Sequence, residues 1–496
     1  MITVPTVGQT GWGTVLNTAL ENLDTRLEQI SVNAIANGAD NTGVTNSSTV
    51  VQSTINSVAT FGGGAVFFPE GVYSLNVTVP SNVTLVGAGR VATQLRRATA
   101  GTPVVDMSGP AADATGATHV KYSGIQSMTV NGNGLSGTAV RCYYANNLVF
   151  RDVLLTSSTE RLVDGVELWD SRFYNCVFES SGGTNGATLP AVHLRNASAA
   201  SGFGYSDDNV NQIVFHGCRW ENFHNGALRI EDGAVSINNP NGIYIVDCKM
   251  ETSAMQGGSH LLADDSCVGI WVDRLYLYAG GFTGGFATPQ TIIDWAAGHS
   301  ALENVLISNG AVATINAGVV AFSPTGQRTV LRNVTGRYGT APGGDHIFYV
   351  GSSGAWKVEN CYSNLGSQAG GTIPAAWEGN QPTKLVTGAA PTDASFTQTP
   401  LNGTTAIRTD GSDFYARIGG TWKPILRSGV AVLAAGTVTV STSAVTANTR
   451  IQLTSNVPGG TPGWLRVSAR TPGTSFTITS SSGTDTSTVA WQMTEP

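Results

Sequence analysis

The chain of 496 residues is poor in charge, and what it lacks excludes several classes of protein. Only 12% of its residues are charged, and 26 basic against 33 acidic residues give a formal net charge of −7. No basic patch occurs, which argues against binding nucleic acid or an anionic membrane through charge. No apolar run reaches the roughly 18 residues that a membrane-spanning helix needs. The sequence therefore predicts neither a nucleic-acid partner nor membrane insertion.

Signals for export and for metal binding are missing as well. The N-terminus has neither a cationic start nor an apolar segment, and the first lysine is Lys121, so no signal peptide is predicted. The six cysteines show no CxxC or other zinc-type spacing, and no HExxH, GxSxG or P-loop motif occurs. Free cysteine packs like a small apolar group. We therefore expect buried core cysteines rather than disulfides or metal ligands, and no cofactor.

What the chain does contain is a recurring local pattern. Eight times a bulky apolar residue is followed two places later by Asn, Asp or Gly, and core-like residues mostly stand one and three places after that marker. Inward side chains of a straight strand fall on every second residue, so these positions share one interior only if the backbone bends at the marker. Asn, Asp and Gly enter the left-handed conformation at low cost. The markers are Asp152, Asn175, Gly217, Asp247, Asp273, Asn304, Asn333 and Asn360, and the apolar residues before them are Phe150, Phe173, Phe215, Ile245, Trp271, Leu302, Leu331 and Val358.

The spacing of the markers predicts an all-β, right-handed parallel β-helix. Most intervals between markers suit one solenoid turn of short strands. Weaker copies around Ser127 and Asn82 extend the pattern towards residue 65. The longest interval, the 42 residues from Asn175 to Gly217, leaves open whether it holds one coil with a long loop or two coils.

Segments on both sides of the repeat predict further elements. A helix is expected over residues 48–59, with Ser47 or Ser48 as its cap, and would close the open end of the solenoid. Short strands separated by Gly, Pro and Asn turns after Val430 predict a small β-sandwich. Near the N-terminus a two-heptad seam predicts either the helical neck of a homotrimer or an amphipathic helix packed on its own chain. The seam residues are Leu16, Leu20, Leu23, Leu27 and Ile30.

These elements give a predicted domain order. Residues 1–33 form a virion-attachment peptide and trimeric helical neck, and residues 34–64 a capping segment and helix. Residues 65–379 form the parallel β-helix. Residues 380–428 form a linker with a small β-hairpin domain, and residues 429–496 form a C-terminal β-sandwich knob.

Three quoted stretches carry a resemblance to a known family. GADNTGVTN from Gly38, VFFPEGVYSL from Val66 and VPSNVTLVGAG from Val79 resemble the opening of pectate-lyase-like β-helix proteins, especially phage tailspikes and tail fibres. PTVGQTGWGTVLNTAL from Pro5 and the C-terminal domain are similar to segments of tail proteins from phages that infect actinobacteria. The resemblance implies a homotrimer attached to a phage tail or baseplate through its N-terminus, located on the virion tail and released by host lysis, that contacts bacterial surface polysaccharide.

Charged residues recur at outward positions of three successive coils. Glu179, Glu221 and Glu251 stand four places after their markers, and Arg219 and Lys249 stand two places after theirs. Because adjacent coils lie about 4.8 Å apart, Glu221 and Glu251 are expected near the separation of about 5 Å that retaining glycosidases use. Crowding raises the pKa of one carboxyl group, as a general acid requires. The alternative is a solvated ladder in which Arg219 and Lys249 balance the glutamates.

Other side chains are assigned by their register and neighbours. Aromatic and hydrogen-bonding side chains near these glutamates are candidate sugar subsites, whereas Trp220 and Trp271 are placed in the core. Three further carboxylate pairs are interpreted as turn features. The subsite candidates are Tyr205, Phe203, His224 and Asn225, and the carboxylate pairs are Asp207 with Asp208, Glu231 with Asp232, and Asp264 with Asp265.

Three functions follow as hypotheses. The first is a tailspike or tail-fibre receptor-binding protein that recognises bacterial surface polysaccharide; whether it also depolymerises that glycan is left open, with a glycoside hydrolase favoured over a lyase. The second is a non-enzymatic adhesin that binds host glycan through the knob of residues 429–496. The third is a purely structural minor tail protein.

Overall fold

The computed structural model describes residues 31–110, 116–181, 189–196, 209–232, 239–252, 258–279, 292–309, 320–322, 329–338, 346–350, 356–359, 361–363, 367–371, 384–386, 391–392, 405–408 and 414–494. The predicted neck at residues 1–30, the subsite candidates Tyr205 and Phe203, the pair Asp207 and Asp208, and the marker Asn360 lie outside these residues. No helix in the described ranges is long and apolar enough to cross a membrane. The chain divides into two compact units, Met1–Thr372 and Ile373–Pro496.

The first unit is a right-handed parallel β-helix with three walls of stacked strands, as predicted. Walls 1 and 2 meet at the kinks and form one hydrogen-bonded sheet, because several strands pass through the kink from one wall into the other. Wall 1 contains β1 (Ser31–Asn33), β3 (Gly64–Phe68), β6 (Val83–Gly87), β14 (Arg172–Tyr174), β17 (Val214–His216), β26 (Thr329–Arg332) and β29 (Trp356–Glu359). Wall 2 contains β2 (Thr42–Asn46), β4 (Gly71–Leu75), β7 (Thr93–Arg97), β15 (Val177–Ser181), β18 (Arg219–Glu221), β27 (Thr335–Tyr338) and β30 (Tyr362–Ser363). Both walls share β10 (Gly124–Asn131), β12 (Val149–Ser158), β20 (Asn241–Thr252), β22 (Val268–Ala279) and β24 (Ala301–Asn309).

Wall 3 is a separate parallel sheet. Its strands alternate inward apolar residues with outward polar ones, for example inward Leu228 and Ile230 with outward Arg229 and Glu231. The strands are β5 (Val77–Thr78), β8 (Val105–Asp106), β9 (Val120–Lys121), β11 (Val140–Asn146), β13 (Val163–Trp169), β16 (Val192–Arg195), β19 (Leu228–Glu231), β21 (Leu261–Ala263), β23 (Ile293–Trp295), β25 (Val320–Phe322), β28 (His346–Val350) and β31 (Ser367–Gly371).

The predicted kinks occur at six of the eight markers. Each of these six residues has a positive φ, between 52° and 65°, and the apolar residues on both sides of it face the interior. Phe150, Phe173 and Phe215 consequently stack in the core, with ring centroids 4.5 Å and 4.7 Å apart. The six kinks are at Asp152, Asn175, Gly217, Asp247, Asn304 and Asn333.

At the fifth marker the prediction is wrong by one residue. Arg274, not Asp273, has the positive φ, of 55°, so Val272 and Leu275 point inward and Trp271 is 44% exposed. The guanidinium of Arg274 bonds the carboxylates of both Asp247 and Asp273. These bonds give an arginine the local partners that make a left-handed position tolerable.

The long interval between Asn175 and Gly217 holds one coil. Wall 1 pairs Phe173 directly with Phe215, and wall 2 pairs Glu179 directly with Glu221. Between them the chain forms only one wall 3 strand, β16, in the residues that the structure describes. The additional length therefore belongs to the connections of this coil and not to a second coil.

The predicted capping helix is confirmed as α1, Ser48–Thr60. Val51, Ile55 and Val58 are buried and lie on its solenoid-facing side, against the first coils. Ser47 occupies the N-cap position, as predicted, but its side chain makes no capping hydrogen bond. The N–H of Ser48 instead donates to Asn46 Oδ1 at 2.9 Å. All six cysteines are free and buried, as predicted.

The second unit is built from antiparallel sheets apart from one parallel pair at its start. Its first strands are β32 (Lys384–Val386), β33 (Thr405–Arg408), β34 (Phe414–Ile418) and β35 (Thr421–Val432), of which the last three form the predicted hairpins. The predicted sandwich strands are β36 (Thr437–Ser441), β37 (Arg450–Val457), β38 (Leu465–Thr471), β39 (Ser475–Ser480) and β40 (Thr488–Thr494). β35 runs through the boundary predicted between residues 428 and 429. The two sandwich sheets share a core of Leu433, Val445, Phe476, Ile478, Val489 and Met493.

Candidate functional site

The three predicted glutamates form one row on the outward face of wall 2. Glu179 stands opposite Glu221 in the register of β15 and β18, and Glu221 stands opposite Glu251 in the register of β18 and β20. Arg219 and Lys249 stand opposite each other two residues earlier in the same strands. The structure therefore brings these five predicted residues together, and we call Glu179, Glu221 and Glu251 the glutamate row.

Lys249 lies between two members of the glutamate row. Its Nζ is 3.5 Å from Glu221 Oε1 and also forms an ion pair with Glu251 Oε2. Arg219 Nη1 is 3.5 Å from Glu221 Oε1. The bond to Glu251 raises the pKa of Lys249 above its ordinary value. These contacts are those of a charge-balanced ladder, and they reduce the carboxylate repulsion on which an acid role for Glu221 or Glu251 would depend.

The remaining subsite candidates are only partly brought to this row. His224 lies three residues after Glu221 in the turn that follows β18, where it is partly buried. Trp220 is buried, as predicted. The prediction that Trp271 lies in the core is wrong. Trp271 lies on the outward face of wall 1 beside Tyr244 of the neighbouring coil, and the two side chains are 44% and 37% exposed. Exposed aromatic faces of this kind suit contact with sugar rings.

A second group of polar residues lies on the outward face of wall 3, and we call it the acid–base cluster. It begins at Asp164, whose Oδ1 accepts a hydrogen bond from Arg195 Nη1 at 2.5 Å. Asp164 Oδ2 accepts bonds from Tyr143 Oη at 2.6 Å and Arg161 Nη1 at 3.3 Å. These partners lower the pKa of Asp164 even though burial opposes the shift. The cluster consists of Tyr143, Arg161, Asp164, His193, Arg195, Arg229 and Glu231.

His193 connects the two carboxylates of the acid–base cluster. Its Nδ1 receives bonds from Arg161 Nε at 3.0 Å and Arg195 Nη1 at 2.8 Å. Guanidinium nitrogens only donate, so Nδ1 must be the acceptor and Nε2 carries the proton. His193 Nε2 therefore donates to Glu231 Oε1 at 2.5 Å. Burial lowers the pKa of His193, which keeps the imidazole neutral.

Glu231 and Asp294 have pKa values shifted in opposite directions. Burial alone would raise the pKa of Glu231, but the bond from His193 and the nearby charge of Arg229 outweigh it and lower the value to about 2. Arg229 Nε donates to Glu231 Oε2 at 2.7 Å. Asp294 lies on the same outward face two strands further along wall 3. Its pKa is raised because burial outweighs the charge of Arg229.

The sequence analysis did not identify the acid–base cluster. It interpreted Glu231 as a turn residue, and wall 3 carries no Asn, Asp or Gly marker that fixes a register. A signal was nevertheless present in the alternation of charged residues with apolar ones at His193 and Arg195 and again at Arg229 and Glu231. In the part of the chain that the structure describes, no group of three or more His, Cys, Asp or Glu side chains could hold a metal ion.

Two family descriptions match parts of the chain. Residues 31–227 match the family described as rhamnogalacturonase A/epimerase, pectate lyase-like. Residues 423–494 match the C-terminal domain of K1 capsule-specific polysaccharide lyase. No protein with a curated description matches the sequence.

Solved structures with the same architecture include viral and bacterial proteins. ORF18 of Geobacillus virus E2 is 18% identical with a TM-score of 0.56, over 96% of this chain and 79% of that one. The A-module of the mannuronan C-5 epimerase AlgE4 of Azotobacter vinelandii is 12% identical with a TM-score of 0.45, over 69% and 98%. The tailspike gp61 of Pseudomonas phage phi297 is 10% identical with a TM-score of 0.43, over 94% and 99%. The chain thus has an N-terminal region, residues 31–227, that is similar to the pectate-lyase-like family, and a C-terminal region, residues 423–494, that is similar to that of a capsule-specific polysaccharide lyase.

Proposed function

We propose that this protein is a phage tailspike or tail-fibre subunit that recognises a bacterial surface polysaccharide and depolymerises it. The observation that carries the proposal is the combination of two regions in one chain. A pectate-lyase-like β-helix region at residues 31–227 is followed by a region at residues 423–494 whose family is named for a capsule polysaccharide lyase. The similarity to a viral protein over 96% of the chain supports a viral origin.

The glutamate row is the first candidate for the reacting carboxylates. Glu221 and Glu251 stand on adjacent rungs about 4.8 Å apart, the order of separation that retaining glycosidases use. In this proposal Glu179 extends the row by one rung. Arg219, Lys249, His224 and Tyr205 are the substrate-binding candidates.

The test of this pair uses the full-length protein and polysaccharide extracted from bacterial cells that the protein binds. Glu221→Gln and Glu251→Gln should each abolish the release of oligosaccharides, measured by mass spectrometry. Glu303→Gln is the matched control, because Glu303 pairs with Arg332 on wall 1 at 2.8 Å and lies outside the glutamate row. Undiminished release by both row variants would eliminate Glu221 and Glu251 as catalytic residues.

A specific surface favours the second candidate function, a non-enzymatic adhesin that binds glycan through the knob. Trp464 is 65% exposed, and the guanidinium of Arg466 lies 5.6 Å from its ring. Such a ring offers a flat face to a sugar. Trp464→Ser should then abolish cell binding by the full-length protein. Retained binding would contradict this candidate.

The assembly of the protein is part of the proposal. A homotrimer joined through the neck at residues 16–30 and attached to the phage tail or baseplate through the N-terminus would place the β-helix on the outside of a virion. Light scattering of the full-length protein should give three times the mass of one chain. A purely structural tail protein would bind no cells and release no oligosaccharide.

A further inference from the structure

The kink at Arg274 decides which side chains of β22 reach the surface. Beyond this left-handed residue, Leu275 and Leu277 point into the core and are 1% and 0% exposed. Tyr276 and Tyr278 alternate with them and lie half-buried on the outward face of wall 2. A kink one residue earlier would reverse this alternation, because successive side chains of a strand point to opposite faces. The kink therefore turns two tyrosine side chains outward.

An arginine with a left-handed backbone is uncommon at a kink of this solenoid. Asn, Asp or Gly occupies the kink at the six markers where the predicted pattern holds. Arg274 is kept in this conformation by bonds to the carboxylates of Asp247 and Asp273. Backbone outliers that the surrounding structure holds in place are concentrated at functional sites. This outlier coincides with the two outward tyrosines, which marks their surroundings as a candidate site.

The two tyrosines extend the columns of the glutamate row by one rung. Tyr276 stands opposite Lys249, and Tyr278 stands opposite Glu251, in the register of β20 and β22. Adjacent rungs lie about 4.8 Å apart. A sugar polymer that crosses Glu221 and Glu251 along the axis of the solenoid consequently reaches the two tyrosine rings next.

We propose that Tyr276 and Tyr278 form a sugar-binding subsite that holds an uncharged unit of the polysaccharide one rung beyond Glu251. This inference rests on the proposed function, because it requires that wall 2 binds a glycan. It deepens that function by naming the side chains that hold the polymer and the class of sugar unit that they accept. It does not require that Glu221 or Glu251 is catalytic.

Tyrosine offers the two kinds of contact that a sugar unit makes. Its ring supplies apolar surface for the C–H face of a pyranose, and its hydroxyl group donates and accepts hydrogen bonds. The next coil adds to this surface, because Leu306 stands opposite Tyr276 and Ser308 stands opposite Tyr278. Leu306 is 43% exposed. Apolar and hydroxyl-bearing side chains therefore continue on the far side of the two rings.

The charges beside the tyrosines disfavour an acidic sugar. Lys249 Nζ is 3.5 Å from Glu221 Oε1 and also pairs with Glu251. Two carboxylates thus already balance its positive charge, and the glutamate row as a whole has three carboxylates against the two cations Arg219 and Lys249. A carboxylate on a sugar unit would meet like charge here. An uncharged unit avoids this repulsion.

The same charges argue against a second copy of the chain as the occupant of this face. The centre of a protein interface is depleted of charged residues. Lys249 and Glu251 lie directly beside the tyrosines, and their side chains are 32% and 40% exposed. Covering them with protein would remove their water at a cost in free energy. A sugar chain carries hydroxyl groups that replace that water.

The experiment measures the Kd of the full-length protein for polysaccharide extracted from cells that it binds, by surface plasmon resonance with contact times too short for cutting. Tyr276→Ser and Tyr278→Ser should each raise the Kd about 2- to 12-fold, the range for loss of one aromatic contact. Tyr276→Phe and Tyr278→Phe keep the ring and should raise it less. Tyr174→Ser is the matched control and should leave the Kd unchanged. Tyr174 is also half-buried and outward, but it lies on wall 1, three coils earlier.

A second polymer tests the class of sugar unit. The carboxyl groups of the extracted polysaccharide are reduced to alcohols, and the Kd values of the wild type and Tyr278→Ser are measured for both polymers. The ratio of the two Kd values should be the same for the native and the reduced polymer, because the subsite contacts no sugar carboxylate. A ratio that falls to one after reduction would overturn the assignment of an uncharged unit.

Failure of this inference can be separated from failure of the proposed function. A wild type that binds the polysaccharide, with Tyr276→Ser and Tyr278→Ser both at the wild-type Kd, contradicts the subsite and leaves the proposed function in place. A wild type that binds no polysaccharide contradicts both. A lower mass of both serine variants in light scattering would assign this face to contact between copies of the chain and would overturn the inference.

Discussion

The side-chain amide of Asn333 donates a hydrogen bond to Oδ1 of Asn304, one coil earlier, at 2.8 Å. Asn304 Nδ2 donates in turn to Asp273 Oδ1 at 2.7 Å. Both asparagines have left-handed backbones at the kink between walls 1 and 2. Asparagine therefore serves two purposes at these kinks, since it tolerates the backbone conformation and links neighbouring coils.

Replacing Asn304 should weaken the β-helix through both of these contributions. Asn304→Ala removes two side-chain hydrogen bonds. It also places alanine, which disfavours the left-handed backbone conformation, at the kink. Together these changes should lower the free energy of unfolding by about 1 to 3 kcal/mol. Asn304→Gly loses the same bonds but keeps the backbone freedom, and should cost less. Urea unfolding of the three proteins measures the order. An alanine variant as stable as the glycine variant would contradict the backbone contribution.

Arg97 should be essential for the fold of the loop that follows β10. It is fully buried, and its guanidinium donates to the carbonyl oxygens of Leu135, Ser136 and Thr138. Arg97→Met leaves these acceptors without their donor and should lower the free energy of unfolding by about 3 kcal/mol.

The neighbouring Arg96 is the control for Arg97. It is only partly buried and, among the described residues, its guanidinium donates to the carbonyl oxygen of Gly43. Arg96→Met should therefore cost less than Arg97→Met in the same denaturant titration. Equal losses in the free energy of unfolding would contradict a larger contribution from the buried contacts of Arg97.

Lys249 should control how the glutamate row responds to pH. Without it, the carboxylates of Glu221 and Glu251 face each other on adjacent rungs, and their repulsion destabilises the folded protein whenever both are ionised. The repulsion weakens at low pH, where carboxyl groups take up protons. Lys249→Met should thus lower the free energy of unfolding at pH 8 by about 1 kcal/mol or less, with a smaller difference from the wild type at pH 4. Adding Glu251→Gln to Lys249→Met should recover the lost stability. A double variant that is no more stable than Lys249→Met would contradict the pairing of Lys249 with the glutamate row.

Asp485 should make the stability of the knob depend on pH. Bonds from Ser480 Oγ at 2.6 Å and from the Ser487 N–H at 2.9 Å hold its pKa below the ordinary range. A lowered carboxyl pKa contributes stability above the unfolded value, and that stability is lost as the pH falls. Asp485→Asn should lower the unfolding temperature of the knob at pH 7 more than at pH 3. Equal effects at both pH values would contradict an ionised Asp485.

The fold was predictable where a residue type and a backbone conformation coincide. Asn, Asp and Gly at the kinks carry their own conformational signal, so the register of walls 1 and 2 and the stacking of the glutamate row followed from the sequence. Prediction failed at Asp273 because Arg274 takes the left-handed position with support from Asp247, a contact between neighbouring coils. Trp271 was placed in the core as a direct result.

Wall 3 was less predictable for the same physical reason. Its left-handed residues include Tyr144 and Glu167, which do not favour that conformation and give no signal in the sequence. His193 and Glu231 are 38 positions apart and meet only because β16 and β19 stack. Contacts that depend on the stacking of coils could not be derived before the register of this wall was known.

The most direct test of the proposed function is to incubate the full-length protein with polysaccharide from cells that it binds and to measure the masses of the products. We expect a ladder of oligosaccharides that differ by one repeating unit of the polymer. Binding to cells with the polymer left intact would contradict depolymerisation, and absence of binding to any bacterial cell would contradict the receptor function itself.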